Sequence, residues 1–177
     1  MGTSHVPGVG AAMDNGKTDE PYWRELFEGF APLRAWHADN VPDVNIVVFN
    51  DHATSMSLNH YSTFMMGVAE HFRPADEGWG PRKVPVVEGH PELAWHIVES
   101  LILDEFDMAV TAEFDVDHGL TVPLSIAYDQ PEAWPTKVIP LCVNVIQHPQ
   151  PTPLRCYKLG QAIRRAVDSF PEDLTVG

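Results

Sequence analysis

The feature that most constrains the fold is the run Val44–Phe49, which ends abruptly in the polar residues Asn50, Asp51 and His52. The run is apolar except for Asn45, and most of its side chains are β-branched or aromatic. Such a run predicts a buried strand of an α/β sheet. Open α/β sheets bind ligands beyond the carboxyl ends of their strands. His52 therefore stands where chemistry is usually carried out, although a histidine that only bonds the next loop would give the same pattern.

The same arrangement returns later in the chain. Met108–Phe114 predicts a second strand, and Asp115–Gly119 follows it with the pair Asp117-His118. Two Asp-His pairs at two strand ends would place both imidazoles over one edge of the sheet. The repeated pattern is therefore a stronger indication of a site than either pair alone.

A third histidine, His5, precedes a proline and two glycines. This composition is typical of a tight loop in which the backbone approaches a ligand closely. The segment Arg73–Arg82 is a second candidate, because long ordered loops rich in glycine and proline are often functional. We expect this segment, which carries Trp79, to form one wall of a pocket.

Strands and helices alternate along the chain. Amphipathic helices are predicted from His90 and over Leu154–Phe170, and Lys137–Ile146 predicts a third strand. The alternation predicts an α/β/α sandwich around a mixed, largely parallel central sheet. Little sequence precedes His5, and Leu174–Val176 begins an apolar run, so we expect the sheet to be incomplete at both ends.

Composition excludes several classes of function. The 177 residues, 44% of them apolar, suffice for one domain with a real core. The formal charge of 11 − 25 = −14, without a dense basic patch, argues against a nucleic-acid partner. No apolar run approaches the roughly 18 residues of a membrane span, and no signal peptide is recognisable. Two cysteines without metal-motif spacing suit a reducing compartment, so a cytoplasmic protein with no membrane partner is expected.

The three histidines suggest two kinds of chemistry. Neutral imidazole is a common ligand of iron, zinc and copper, and two histidines with one carboxylate leave positions open on Fe(II). An imidazole that is not bound to metal is a natural acid or base at neutral pH. These patterns do not distinguish ligand from catalyst. Asp51 and Asp117 could ligate the metal or hold the neighbouring loops by accepting backbone N–H bonds, and the second role is favoured.

Six stretches, in order along nearly the whole chain, resemble the amino-terminal portion of the class III extradiol ring-cleavage dioxygenases. In particular, they resemble the catalytic (beta) subunit of protocatechuate 4,5-dioxygenase and the related gallate dioxygenase. The stretches are Ser4–Pro7, Asn50–His52, Pro74–Arg82, Leu101–Asp107, Asp115–Gly119 and Ser169–Leu174. The resemblance implies that residues 1–177 form a single extradiol dioxygenase domain of the catalytic type, truncated on the C-terminal side.

The resemblance also implies residue roles. His5 and His52 match the two iron-binding histidines of the family, with Fe(2+) as cofactor. His118 matches an active-site histidine that acts in acid–base steps near the substrate. Asn50, Asp51 and Asp117 become candidates for supporting the ligands or lining the substrate pocket.

Two residues of the family site fall outside this chain by the same resemblance. The glutamate ligand and a second catalytic histidine, the latter in a Gly-Gly-Met-Ser-His type loop, would both follow Gly177. Two histidines without the carboxylate should hold Fe(II) weakly. The chain by itself is therefore expected to bind little iron.

The implied reaction inserts both atoms of O2 into the ring of a catechol-type aromatic acid, beside rather than between its two hydroxyls. Two stretches, Leu58–Ser62 and Val145–Pro149, are more similar to gallate-type members of the family. A third, Trp79–Asp107, is more similar to protocatechuate-type members. The family implies either a small helical alpha subunit, in a heterotetramer, or a fused equivalent. Two other readings stay open: an interaction module of the same fold that has lost iron, and a zinc hydrolase.

Overall fold

The computed structural model describes residues 1–60 and 62–177 and arranges helices on both faces of a central sheet. The helices are α1 (Pro7–Asp14), α2 (Arg24–Asp39), α3 (Pro91–Leu103), α4 (His118–Tyr128) and α5 (Pro153–Asp168). The strands are β1 (Val44–Phe49), β2 (Phe64–Gly67), β3 (His71–Phe72), β4 (Val87–Glu88), β5 (Met108–Thr111) and β6 (Lys137–Val143). The predicted alternation of strands and helices is therefore confirmed.

The main sheet has the strand order β1-β6-β2-β5. β1 is parallel to β6 and β2 is parallel to β5, whereas β2 and β6 run antiparallel. The mixed, largely parallel sheet expected from the sequence is thus present. β3 and β4 form a separate antiparallel pair.

Alternate residues of β6 divide the core between the two faces of the sheet. Ile139 and Leu141 lie in the cluster that α3 and α5 cover, whereas Val138 and Cys142 lie in the cluster that α4 covers. This alternation is the two-residue period of a strand that is buried on both sides. α1 and α2 pack on the outer side of α4, so that α4 is enclosed between the sheet and these two helices.

The run Val44–Phe49 forms a strand as predicted, but it is not buried along its whole length. Val48 is 63% exposed, and β1 lies at the end of the described strand order. Residues 175–177 bond to its first half, with Val44 and Ile46 donating to the carbonyls of Thr175 and Gly177. The apolar run predicted burial on both faces of the strand, whereas Val48 is exposed. β6 pairs with β1 along its whole length, and among the described residues a second neighbour, residues 175–177, bonds only to the first half of β1.

The segment after His5 is a helix, not the tight loop expected from its proline and glycines. Pro7 occupies the first turn of α1, where its missing N–H costs nothing and its fixed φ suits a helix. Gly10 serves packing, because a Cβ there would lie 2.7 Å from Val122 of α4. His5 therefore lies in an irregular segment two residues before a helix, with no strand before it in the described residues.

Within residues 1–60 and 62–177, no helix has both the length and the apolar character that crossing a bilayer would require. Tyr61, which belongs to the stretch Leu58–Ser62 that is similar to gallate-type members, lies outside the described residues.

Two leucines of α3 offer a direct test of which helix face supports the fold. Leu101 is fully buried and Leu103 is 85% exposed. Leu101→Ala should lower the free energy of unfolding by about 2–5 kcal/mol, because it removes buried methylenes and leaves a cavity. Leu103→Ala, the matched control, should change it by less than about 0.5 kcal/mol. Urea denaturation of both variants measures the difference, and equal effects would contradict the described packing of α3.

Candidate metal centre

Three imidazoles meet at the carboxyl end of β1. One ring nitrogen from each of His5, His52 and His118 lies within 4.8 Å of the other two. The ring centroids of His52 and His118 are 4.0 Å apart in a stacked arrangement, and His5 lies 5.0 Å from His52 and 5.9 Å from His118. The two Asp-His pairs recognised in the sequence do place their imidazoles over one edge of the sheet, and His5 joins them.

Each histidine comes from a different kind of element. His5 precedes α1, His52 follows β1, and His118 is the first residue of α4. The prediction that the pair Asp117-His118 lies at a strand end was therefore wrong, since β5 ends at Thr111 and a helix begins at His118. Asp117 is the N-cap of that helix, and its side chain accepts a bond from the Gly119 N–H at 2.8 Å.

Asp117 also orients His52. One carboxylate oxygen, Oδ2, lies 2.7 Å from the backbone nitrogen of His52 and 2.9 Å from its ring Nδ1. The Asp117 side chain is completely buried, so water does not compete for these bonds. The other ring nitrogen, Nε2, lies 3.1 Å from the amide nitrogen of Asn50, which can only donate. These two partners favour the tautomer of His52 that has its proton on Nδ1 and its lone pair on Nε2.

Glu77 orients His118 in a similar way. Its Oε1 accepts a bond from the backbone N–H of His118 at 3.0 Å, and its Oε2 contacts Nδ1 of the same residue. The two side chains are only 7% and 8% exposed. In the sequence, Glu77 stands within the Gly/Pro loop without a predicted role, because nothing in the local pattern links it to a histidine 41 positions later.

Asp51 shapes the loop that carries His52. Its carboxylate accepts backbone N–H bonds from Thr54, Ser55 and Met56, at 3.0 to 3.3 Å. Burial raises the pKa of the Asp51 carboxyl above its usual range. Among the described residues, the groupings capable of holding a metal ion do not include Asp51. Its geometry is that of a loop support.

Cys142 packs against this loop, with its sulfur 3.4 Å from the backbone nitrogen of Asp51. Burial raises the pKa of the Cys142 thiol to about 12. A thiol with that pKa stays protonated at neutral pH and is a poor metal ligand.

The donor set fits a divalent metal ion. Burial lowers the pKa of the His5 imidazole, and the nearby His52 and His118 lower it further, so His5 favours the neutral form that binds metals. Metal-binding histidines commonly donate their second ring nitrogen to a carboxylate, which fixes the tautomer and the ring orientation. Asp117 provides that partner for His52, and Glu77 provides it for His118.

A groove of about 830 Å³ borders the site along β1. Its lining includes His5, Asn50, Gly119 and Tyr128. Its lining is mostly apolar, and its volume lies in the range of small-molecule sites. An aromatic ring bound in this groove would lie beside His5.

Comparison with known proteins decides the family. The whole chain, residues 1–177, matches the family described as the catalytic LigB subunit of aromatic ring-opening dioxygenase. The chain belongs to this family. The resemblance recognised in the sequence motifs is thereby confirmed.

Individual relatives of this LigB-family chain include two kinds of dioxygenase. The gallate dioxygenase of Pseudomonas putida is 52% identical over 102 residues, which cover 58% of this chain and 30% of the relative. A 2,3-dihydroxyphenylpropionate/2,3-dihydroxicinnamic acid 1,2-dioxygenase of Photorhabdus laumondii is 29% identical over 162 residues, which cover 91% of this chain and 48% of the relative. The LigB-family chain thus spans about half the length, or less, of these curated relatives.

Proposed function

We propose that this chain is part of a non-haem Fe(II)-dependent extradiol dioxygenase that cleaves the ring of a carboxylated catechol in aromatic compound catabolism. Both atoms of O2 would enter the product. The observation that carries the proposal is the convergence of His5, His52 and His118, two of them held by buried carboxylates, in a chain of the LigB family. Residues 1–177 would act as one catalytic domain.

His5 and His52 would hold the iron, together with a glutamate that we expect after Gly177 by resemblance to the family. Bound Fe(II) would supply a site for the catecholate beside O2 and a path for electron density from ring to oxygen. Asp117 would keep the lone pair of His52 on Nε2, and the metal would take the place of the Asn50 amide as the partner of that lone pair. Asn50, at 3.1 Å from that nitrogen, would line the substrate side of the site.

His118 would act as the acid–base residue. Its Nδ1 is occupied by Glu77, so a proton would pass through Nε2. The ring is nearly buried, which would keep bulk water away from the proton during ring opening. A positioned imidazole typically contributes about 10²–10⁴-fold to such a step.

Gallate is the substrate we favour, ahead of protocatechuate and 3-O-methylgallate. The support is the 52% identity to the gallate dioxygenase over 102 residues, which cover 58% of this chain. A small helical alpha subunit, or a fused equivalent, would complete the enzyme as in the family that the motifs resemble.

The test is oxygen uptake by the protein at its natural length after anaerobic loading with Fe(II). We expect uptake with gallate, less with protocatechuate, and none with 4-hydroxybenzoate, which lacks the second hydroxyl. The same protein loaded with Zn(II) serves as a metal control and should consume no oxygen. Retained iron without oxygen uptake on any catechol would contradict the proposal, and hydrolysis by the zinc form would favour a zinc hydrolase.

A further inference from the structure

We propose that Glu77 is a positioning residue that fixes the tautomer of His118, with the ring proton on Nδ1 and Nε2 left free to exchange a proton. The bond between these residues is independent of any ligand. Its catalytic consequence rests on the proposed dioxygenase function.

The contacts leave little freedom for the His118 ring. The two oxygens of Glu77 take separate partners: Oε1 accepts from the backbone N–H of His118 at 3.0 Å, and Oε2 contacts ring Nδ1. An ionised carboxylate can only accept hydrogen bonds, so Nδ1 must be the protonated nitrogen. Because both side chains are over nine-tenths buried, water is a poor substitute for this partner.

The loop that carries Glu77 is held by other bonds. Asp76 accepts backbone N–H bonds from Gly78 and Gly80, each at 2.9 Å, and Ala75 donates to the carbonyl of Val116 at 2.9 Å. Farther along the loop, Arg82 pairs with Asp14 of α1 at 2.8 Å. None of these bonds uses the Glu77 side chain. A change at Glu77 should therefore alter the His118 ring without releasing the loop.

In Glu77→Gln we expect the ring proton of His118 on the other nitrogen, Nε2 instead of Nδ1. Glutamine keeps the length of the side chain but offers one acceptor oxygen and one donor nitrogen. The backbone N–H of His118 can only donate, so the glutamine oxygen must stay with it. The glutamine nitrogen then faces Nδ1, which has to become the acceptor. The ring proton should move to Nε2, the position where the lone pair is needed.

The measurement is ¹⁵N NMR of histidine-labelled protein at mildly alkaline pH, with the His118 signals identified by their loss in His118→Gln. The unsubstituted protein should show a protonated Nδ1, and Glu77→Gln should show a protonated Nε2. Glu88→Gln is the matched control, because Glu88 is an exposed acid on β4. It should leave the His118 tautomer unchanged.

Steady-state kinetics of the Fe(II)-loaded protein provide the second readout. Glu77→Gln should lower kcat about 10- to 100-fold, with KM and iron content unchanged, because only the proton-transferring nitrogen is altered. A structural role alone would change iron content or folding and leave the tautomer as it was. The control Glu88→Gln should keep the original kcat.

The outcomes separate this inference from the proposed function. A protonated Nε2 in the unsubstituted protein, or an unchanged tautomer in Glu77→Gln, would overturn the positioning role whatever the activity. An inverted tautomer in a protein that never consumes oxygen would support the positioning role and contradict the dioxygenase. If Glu77→Gln does not fold, the tautomer of the unsubstituted protein tests the positioning role by itself. A protonated Nδ1 supports that role, and a protonated Nε2 overturns it.

Discussion

His52→Ala should leave the protein, at its natural length, unable to retain Fe(II) and without measurable oxygen uptake. Removing an outer hydrogen-bond partner of a ligand typically costs about 10–100-fold in metal affinity, and loss of the ligand itself should cost more. The fold should survive, because Asp117 still accepts from the backbone N–H groups of residue 52 and Gly119. Metal analysis after desalting, combined with circular dichroism, tests both statements.

His118→Ala is the matched variant, because it removes a neighbouring imidazole of the same cluster. It should retain iron but lose turnover by about 10²–10⁴-fold, since it removes the proposed acid–base group and no proposed ligand. Retained iron in His52→Ala would remove His52 from the ligand set. Loss of iron in His118→Ala would instead make His118 a ligand.

Gly119→Ala should disrupt the same site without touching any histidine. A Cβ at this position would lie 2.6 Å from the carbonyl oxygen of Asn50 and 2.8 Å from Oδ1 of Asp117. Contacts this short are not tolerated, and the first belongs to backbone, so the start of α4 must move away from the end of β1. Overpacking of this kind costs about 1–3 kcal/mol of stability. The shift also separates Asp117 from His52, so iron affinity should fall about 10–100-fold.

Gly160→Ala provides the control for Gly119→Ala. Gly160 lies in α5, and a Cβ there would meet nothing within 4 Å. Alanine is a better helix former than glycine by about 1 kcal/mol, so this variant should be neutral or slightly stabilised. Urea denaturation and iron titration of both variants provide the comparison. Equal stability and iron affinity in the two would show that α4 does not depend on this close approach.

Several elements of the fold follow from local sequence patterns. β1 is an apolar run with a polar end, and its bounds match the prediction. α3 begins with a proline after His90, whose side chain accepts from the Leu93 N–H, and its apolar stripe faces the core. α5 has the strongest one-sided pattern and lies within two residues of its predicted bounds. Each of these signals is carried by residues that are close along the chain.

Other elements had no such signal. α4 is buried on nearly every side between the sheet and the outer helices, so it shows no polar face, and Pro123 lies inside it. A helix without a polar face lacks the period that identifies an amphipathic helix. β2 is only four residues long, and Phe64–Gly67 does not alternate. Both elements are stabilised by packing rather than by a local pattern.

The amino-acid sequence by itself determined the α/β class, the candidate histidines and the family, because those depend on residue type, short-range spacing and ordered motifs. Only the tertiary structure decided which side chains touch: that Asp117 orients His52, that Glu77 orients His118, and that Gly119 lets α4 approach β1. These partners are separated by up to 69 positions along the chain. Their contacts follow from the packing of α4 and the Gly/Pro loop against the sheet, which no local pattern encodes.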